Sequence, residues 1–207
     1  MNRTRIVRSG ARAATLLLLA AVSAGCATKV TRIDPASVTD LSGRWNDTDS
    51  RLVANELIRS SLTESWLRRY ADSHGGEAPA VIVGTFENRT REHIAVGTFL
   101  KDLENAYVNS GSVRVVATRD ERGEIRDERA DQQEHARAET RNRMAQELGA
   151  RYMLQGTIEA IEDAQGRERV VYYQVDATLV DIESNQKVWT GQQKIKKYIE
   201  RPRLRGD

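Results

Sequence analysis

The sequence predicts an α+β fold, with helices packed on a mixed sheet and a three-stranded antiparallel meander at its C-terminal end. Three observations carry this. Apolar residues recur at helical spacing on both sides of residues 80–86; that stretch, AVIVGTF, is a continuous β-branched run; and from Arg151 onward the hydrophobic period changes to two.

Taken in order, Asp47 or Thr48 can cap a first helix whose stripe is Leu57, Ile58, Leu62, Trp66 and Tyr70, and HGGEAP stops it. AVIVGTF, flanked by turn residues, reads as a central strand buried on both faces and ending at Glu87-Asn88-Arg89-Thr90. Val96, Leu100, Leu103 and Tyr107 stripe a second helix, which Asn109-Ser110-Gly111 terminates. SVRVVAT at 112–118 reads as a second strand. Thr118-Arg119-Asp120-Glu121 has capping-box spacing and opens a charged helix reaching Leu148 and stopped by Gly149; Gly123 and a weak stripe between Ile125 and Met144 predict that it is broken or loose. RYMLQGTIEAI, ERVVYYQVDATLVDI and KVWTGQQKIKKYI, joined by EDAQGR and ESNQ, form the meander. In its middle strand Val171, Tyr173, Val175, Ala177 and Leu179 face a core, while Gln174, Asp176 and Thr178 face the wet side.

Ahead of this domain, Arg3, Arg5, Arg8 and Arg12 precede an apolar segment from Ala13 to Ala24, the basic and hydrophobic regions of an export signal. The segment is too short to span a bilayer, for which about 20 apolar residues are needed. Ser23-Ala24-Gly25-Cys26 resembles the bacterial lipobox, with Ser23 where an aliphatic residue usually stands. That resemblance implies that Cys26 is acylated, with palmitate among the chains, and becomes the mature N-terminus. Several acyl chains give stable anchoring, and Ala27 in place of an aspartate implies the outer membrane, facing the periplasm. The organisation expected is therefore a signal peptide at 1–25, a lipidated N-terminus and short tether at 26–47, one α+β domain at 48–200 and a disordered tail at 201–207.

Loss of the signal removes four arginines and no acids, so 32 basic and 30 acidic residues become 28 and 30, and the net charge moves from +2 to −2. A nearly neutral chain with interspersed charge has no footprint for nucleic acid. Beyond Cys26 there is no cysteine, which excludes an intramolecular disulfide or a CxxC pair.

Chemistry is sparse. His74, His93 and His135 lie in separate elements without metal-ligand spacing, and no GxSxG, P-loop or GxGxxG occurs. A glycosidase needs two facing carboxylates, but the acids cluster in 119–147 among arginines, as a solvated helix face with pairs such as Glu134 with Arg137 and Glu139 with Arg143. No catalysis, metal or cofactor is expected. Asn46-Asp47-Thr48 and Asn88-Arg89-Thr90 match the glycosylation sequon, yet both sit where a cap or Asx-turn precedes a helix.

Two segments exceed what a fold requires. LSGRWND sets Trp45 beside Arg44, and ENRTREHI places Arg89, Arg91, Glu92 and His93 at a strand-to-helix junction. Trp and Arg are common interface anchors. Arg44, Trp45, Arg89, Glu92 and His93 are therefore the candidate partner-binding residues; the alternative is that Trp45 tucks into the domain edge and the second loop is merely polar.

DLSGRWNDTDSRLVANELI, VIVGTFENRTREHI, VNSGSVRVV, RDERADQQ, LGARYMLQGTI and YYQVDATLVDIESNQKVWTGQQKIKK together resemble the LpoB-type penicillin-binding protein activator family, from about Val38 to Ile199. The resemblance implies an outer-membrane lipoprotein without enzymatic activity, whose domain is similar to the N-terminal domain of TolB. It further implies a class A penicillin-binding protein, the peptidoglycan synthase, as the partner that is stimulated allosterically. The domain also resembles the curli-secretion lipoproteins, which makes an envelope assembly or secretion component the second reading.

Overall fold

A computed structural model describes residues 28–135 and 149–201. The signal segment, Cys26, the predicted helix beyond His135 with Arg137, Glu139 and Arg143, and the tail from 202 lie outside the described residues. The chain divides into two compact units, residues 1–37 and 38–207. In the first, Asp34 forms a turn, its side chain accepting from Ala36 N at 2.8 Å and its carbonyl from Ser37 N at 2.9 Å. The second begins at Val38, so residues 38–47, which the sequence assigns to the tether, belong with the folded unit.

Helix α1 spans Asp47–Thr63, and its N-cap is Asn46 rather than Asp47 or Thr48. Asn46 Oδ1 accepts from Asp49 N at 3.1 Å, and Asp49 Oδ2 accepts from Asn46 N at 2.9 Å, a reciprocal capping box. Thr48 and Asp49 are buried instead. The predicted single first helix is two: the chain breaks at Glu64 (φ −81°, ψ 160°) and resumes as α2, Ser65–Ser73. The break turns Trp66 inward, where Nε1 donates at 2.6 Å to the Ser61 carbonyl, which also accepts the Glu64 N–H at 3.4 Å, and the ring meets Tyr152 edge-on at 5.2 Å. Trp66 is 2% exposed. The short indole bond supplements the long Glu64 bond that ends the helix.

Strand β1, Ala80–Asn88, lies between β2, Arg114–Val115, and β3, Tyr152–Gln165, parallel to both; β4, Glu168–Asp181, and β5, Lys187–Glu200, complete the antiparallel meander in the order β2-β1-β3-β4-β5. The expected burial of β1 on both faces is not found, because Thr85 and Glu87 are exposed. A bulge sets Gly84 and Thr85 against Gln155 alone, so Val83 and Phe86 both reach the core although three residues apart. The second strand is far shorter than SVRVVAT suggests. Its ladder stops because Thr118 N is taken by Glu121 Oε2 at 2.8 Å, where helix α4, Arg119–His135, begins. That helix is unbroken at Gly123 as far as His135, and the rest of the predicted helix lies outside the described residues.

Helix α3, Val96–Ser110, places Phe99, Leu103 and Tyr107 against α1 and the sheet, with Val81, Leu154, Ile158, Val175 and Leu179 beneath. Tyr107 Oη and Ser61 Oγ share a buried hydrogen bond at 2.8 Å, and burial pushes the phenol up to about 12. In β4 the five residues predicted to face inward are all buried, and the predicted wet face is half-exposed. The first hairpin is tighter than expected. Pairing runs to Gln165–Glu168, leaving a two-residue turn whose Gly166 takes φ +62°, a value that favours glycine.

Asp181, 6% exposed, anchors the second turn by accepting from Glu183 N and Ser184 N at 3.0 Å each and from Arg151 Nε at 3.0 Å. Burial alone would raise its pKa; the Ser184 N–H and the Arg151 guanidinium outweigh that and hold the carboxyl below its usual value. A depressed folded-state pKa gives stability that is complete above the unfolded value and is lost as pH falls through the folded one. Asp181→Asn is expected to cost about 1.5–3 kcal/mol at neutral pH. In urea melts the wild-type advantage should close as pH is lowered from about 5 to about 2. An advantage independent of pH would refute the assignment.

Candidate partner-binding site

The two segments that the sequence singles out are joined by one carboxylate. Glu92 Oε2 accepts from Trp45 N at 3.1 Å and from Tyr173 Oη at 2.7 Å, and Arg169 Nη2 lies 3.6 Å from Oε1. The Glu92 side chain is only 8% exposed. Burial, and then the Glu92 carboxylate, raise the Tyr173 phenol well above its ordinary value, so it stays a donor. Trp45 is half-buried: its ring meets Phe99 at 6.0 Å and Tyr173 at 5.5 Å, both edge-on, while Nε1 donates to Ser50 Oγ at 2.8 Å. Neither residue is the exposed anchor that the sequence suggests. Trp45 packs at the domain edge, and Glu92 is turned inward by three polar partners.

The loop that follows β1 is fixed locally as well. Asn88 Oδ1 accepts from Thr90 N at 3.0 Å, Asn88 Nδ2 donates to the Glu92 carbonyl at 2.8 Å, and Thr90 Oγ1 accepts from Glu92 N at 3.1 Å. This is the Asx-turn the sequence proposes at Asn88. With Glu92 and Ile94 inside, Arg89, Arg91 and His93 point outward. Arg89 is paired with Glu87 two residues back at 2.8 Å through Nη2 and across the sheet with Glu159 at 3.4 Å through Nη1, and with Arg91 it borders a groove floored by Ala160, Ile161 and Glu162. Ile161 is 69% exposed there. Arg44 is exposed on the other segment.

A second cluster seats that segment. Lys197 Nζ donates to Asp40 Oδ1 at 2.7 Å, to Asp49 Oδ2 at 2.6 Å and to the Arg44 carbonyl at 3.1 Å. Burial alone would lower the Lys197 pKa; Asp40 and Asp49 outweigh it and the ammonium is held above its ordinary value, while Lys197 draws Asp40 down. Sequence reasoning missed Lys197, Asp40 and Arg169. For Lys197 a signal existed: in KIKKYI it shares the inward register of Ile195 and Ile199. Among the described residues no group of three or more His, Cys, Asp or Glu could hold a metal, and no helix is long and apolar enough to cross a membrane.

The described residues thus form an α+β domain whose loop after β1 carries Arg89, Arg91 and His93 on its outer side. Over residues 49–195 the chain matches the family described as peptidoglycan-synthase activator LpoB, and it belongs to that family. The family comprises regulatory activators of penicillin-binding proteins in peptidoglycan synthesis. Among solved structures, the LpoB C-terminal domain from Escherichia coli is similar at 14% identity and a TM-score of 0.39, covering 72% of this chain and 99% of that one. The corresponding Salmonella enterica domain is similar at 16% identity and a TM-score of 0.33, covering 63% and 93%. A lipoprotein from Neisseria meningitidis is similar at 18% identity and a TM-score of 0.38, covering 58% and 83%. No curated protein sequence matches the chain.

Proposed function

We propose that this chain is a non-enzymatic lipoprotein, anchored by acylated Cys26 in the outer membrane, that binds a class A penicillin-binding protein and activates it allosterically. Membership of the activator family over residues 49–195 is the observation that supports this reading most. Activation by binding requires only that the protein prefer an active conformation of the synthase, since a ligand shifts an equilibrium by its differential affinity. Of the five candidate residues, Arg44, Arg89 and His93 are available to touch the partner, whereas Trp45 and Glu92 hold the two segments in place.

The experiment that tests the activity immobilises the protein and exposes it to detergent-solubilised membranes labelled with fluorescent penicillin. A retained high-molecular-weight labelled band is the expected result, and its absence with folded protein on the beads would sink the reading. Arg89→Glu combined with His93→Ala is expected to weaken retention by about tenfold, roughly 1.4 kcal/mol; unchanged retention would remove the loop from the interface. Incubated alone with peptidoglycan, the protein should release no fragments.

The anchor is tested separately. Labelled palmitate should enter the wild type and not Cys26→Ser, which should leave the membrane fraction because no acyl chain remains to partition. Equal incorporation into both would refute lipidation at this residue.

A further inference from the structure

A segment without helix or strand is ordered only by what its backbone and side chains touch. Residues 40–46 are held at four places. Gly43 adopts φ +69° with the Ile199 side chain standing where a Cβ would be. Lys197 gathers Asp40, Asp49 and the Arg44 carbonyl. The Trp45 ring is wedged between Phe99 and Tyr173. Finally, Trp45 N donates to Glu92.

That last bond also holds the partner loop. Glu92 Oε2 has two donors, Trp45 N and Tyr173 Oη, while Oε1 has no hydrogen bond and only the Arg169 guanidinium at 3.6 Å. Lifting residues 40–46 takes one of the two donors from a buried carboxylate and removes the indole that packs on Tyr173, the other donor. A buried charge left short of partners costs more than the lost contact was worth. The least costly response is for the Glu92 carboxylate to turn to solvent; the Asn88 and Thr90 bonds, made to the Glu92 carbonyl and N–H, survive that turn but then tie Arg89 and His93 to a residue no longer anchored to the 40–46 segment.

We propose that residues 40–46 and the 89–93 loop are one cooperative unit, so that displacing the segment withdraws Arg89 and His93 from their binding position. Residues 40–46 follow directly on the tether. Any displacement of that segment therefore weakens partner binding. The regulatory consequence rests on the activator reading; the coupling itself does not.

Hydrogen exchange on the full chain tests the coupling without a partner, using Lys197→Met and Gly43→Val, two changes that leave every residue of 88–94 unaltered. The expected result is that amides in 40–50 and in 88–94 speed up together, by about tenfold, while core amides such as Val175 and Leu179 keep wild-type protection. A rise confined to 40–50, or no rise there in either variant, overturns the proposal. Should Lys197→Met lose protection everywhere, Gly43→Val decides. Retention of the penicillin-labelled synthase should fall in the same variants although Arg89 and His93 are unaltered. If the wild type itself retains no synthase, the activator reading fails while the exchange result still stands.

Discussion

Gly156→Val is expected to abolish cooperative folding. Gly156 lies in β3 between β1 and β4, opposite Ala177, and a Cβ built there overlaps the backbone oxygen of Asp176 and the ring of Phe86. Phe86 could rotate only by leaving the core, and the Asp176 carbonyl belongs to a paired central strand that cannot retreat. Overpacking a core typically costs about 1–3 kcal/mol. With backbone as the obstacle and three carbons added, a loss of at least about 4 kcal/mol is expected, a large share of the roughly 5–15 kcal/mol that a domain possesses. Gly156→Ala, about 2–3 kcal/mol, should lower Tm by roughly 5–10 °C. Gly97 is the control: it sits in α3 with nothing near its missing Cβ. Gly97→Ala should raise stability by about 0.5–1 kcal/mol. Thermal melts by circular dichroism read all three, and a Gly156→Ala protein melting with the wild type would disprove the packing at this crossing.

The elements that were legible in the sequence are those whose signal is local and periodic. The alternation Val171, Tyr173, Val175, Ala177, Leu179 specifies both the existence of β4 and its buried face, because a period of two leaves one assignment. Where tertiary contacts override local preference, the sequence misleads. Nothing local marks the break at Glu64, which exists because Trp66 must reach Tyr152. Asn46 takes the cap from Asp47 and Thr48 because Asp49 answers it and is itself bound by Lys197, which lies 148 positions further on. The site shows the same division. The exposure of Arg89 and His93 beside an Asx-turn is a short-range property and could be read, whereas the inward turn of Glu92 depends on Tyr173, 81 positions away. Charge alone, in ENRTREHI, made all four side chains look equally available.

Glu92→Lys is expected to destabilise the domain by about 3–5 kcal/mol, the range for leaving a buried ionic group uncompensated. It would set an ammonium against the Arg169 guanidinium and in place of the acceptor that Trp45 N and Tyr173 Oη share. Arg89→Glu, by contrast, removes two pairs between exposed side chains and should leave Tm close to that of the wild type. The difference decides how interface mutations on this loop are read. Loss of partner binding in Glu92→Lys reports a collapsed loop and carries no information about contact, while the same loss in Arg89→Glu, with Tm unchanged, reports contact itself. Glu92→Gln separates the remaining terms, because the amide oxygen can still accept from both donors while the charge is gone. If charge matters only through Arg169 at 3.6 Å, Glu92→Gln should lose less than half of what Glu92→Lys loses in urea unfolding. Equal losses would mean that the ion pair with Arg169, and not the shared acceptor, holds the loop.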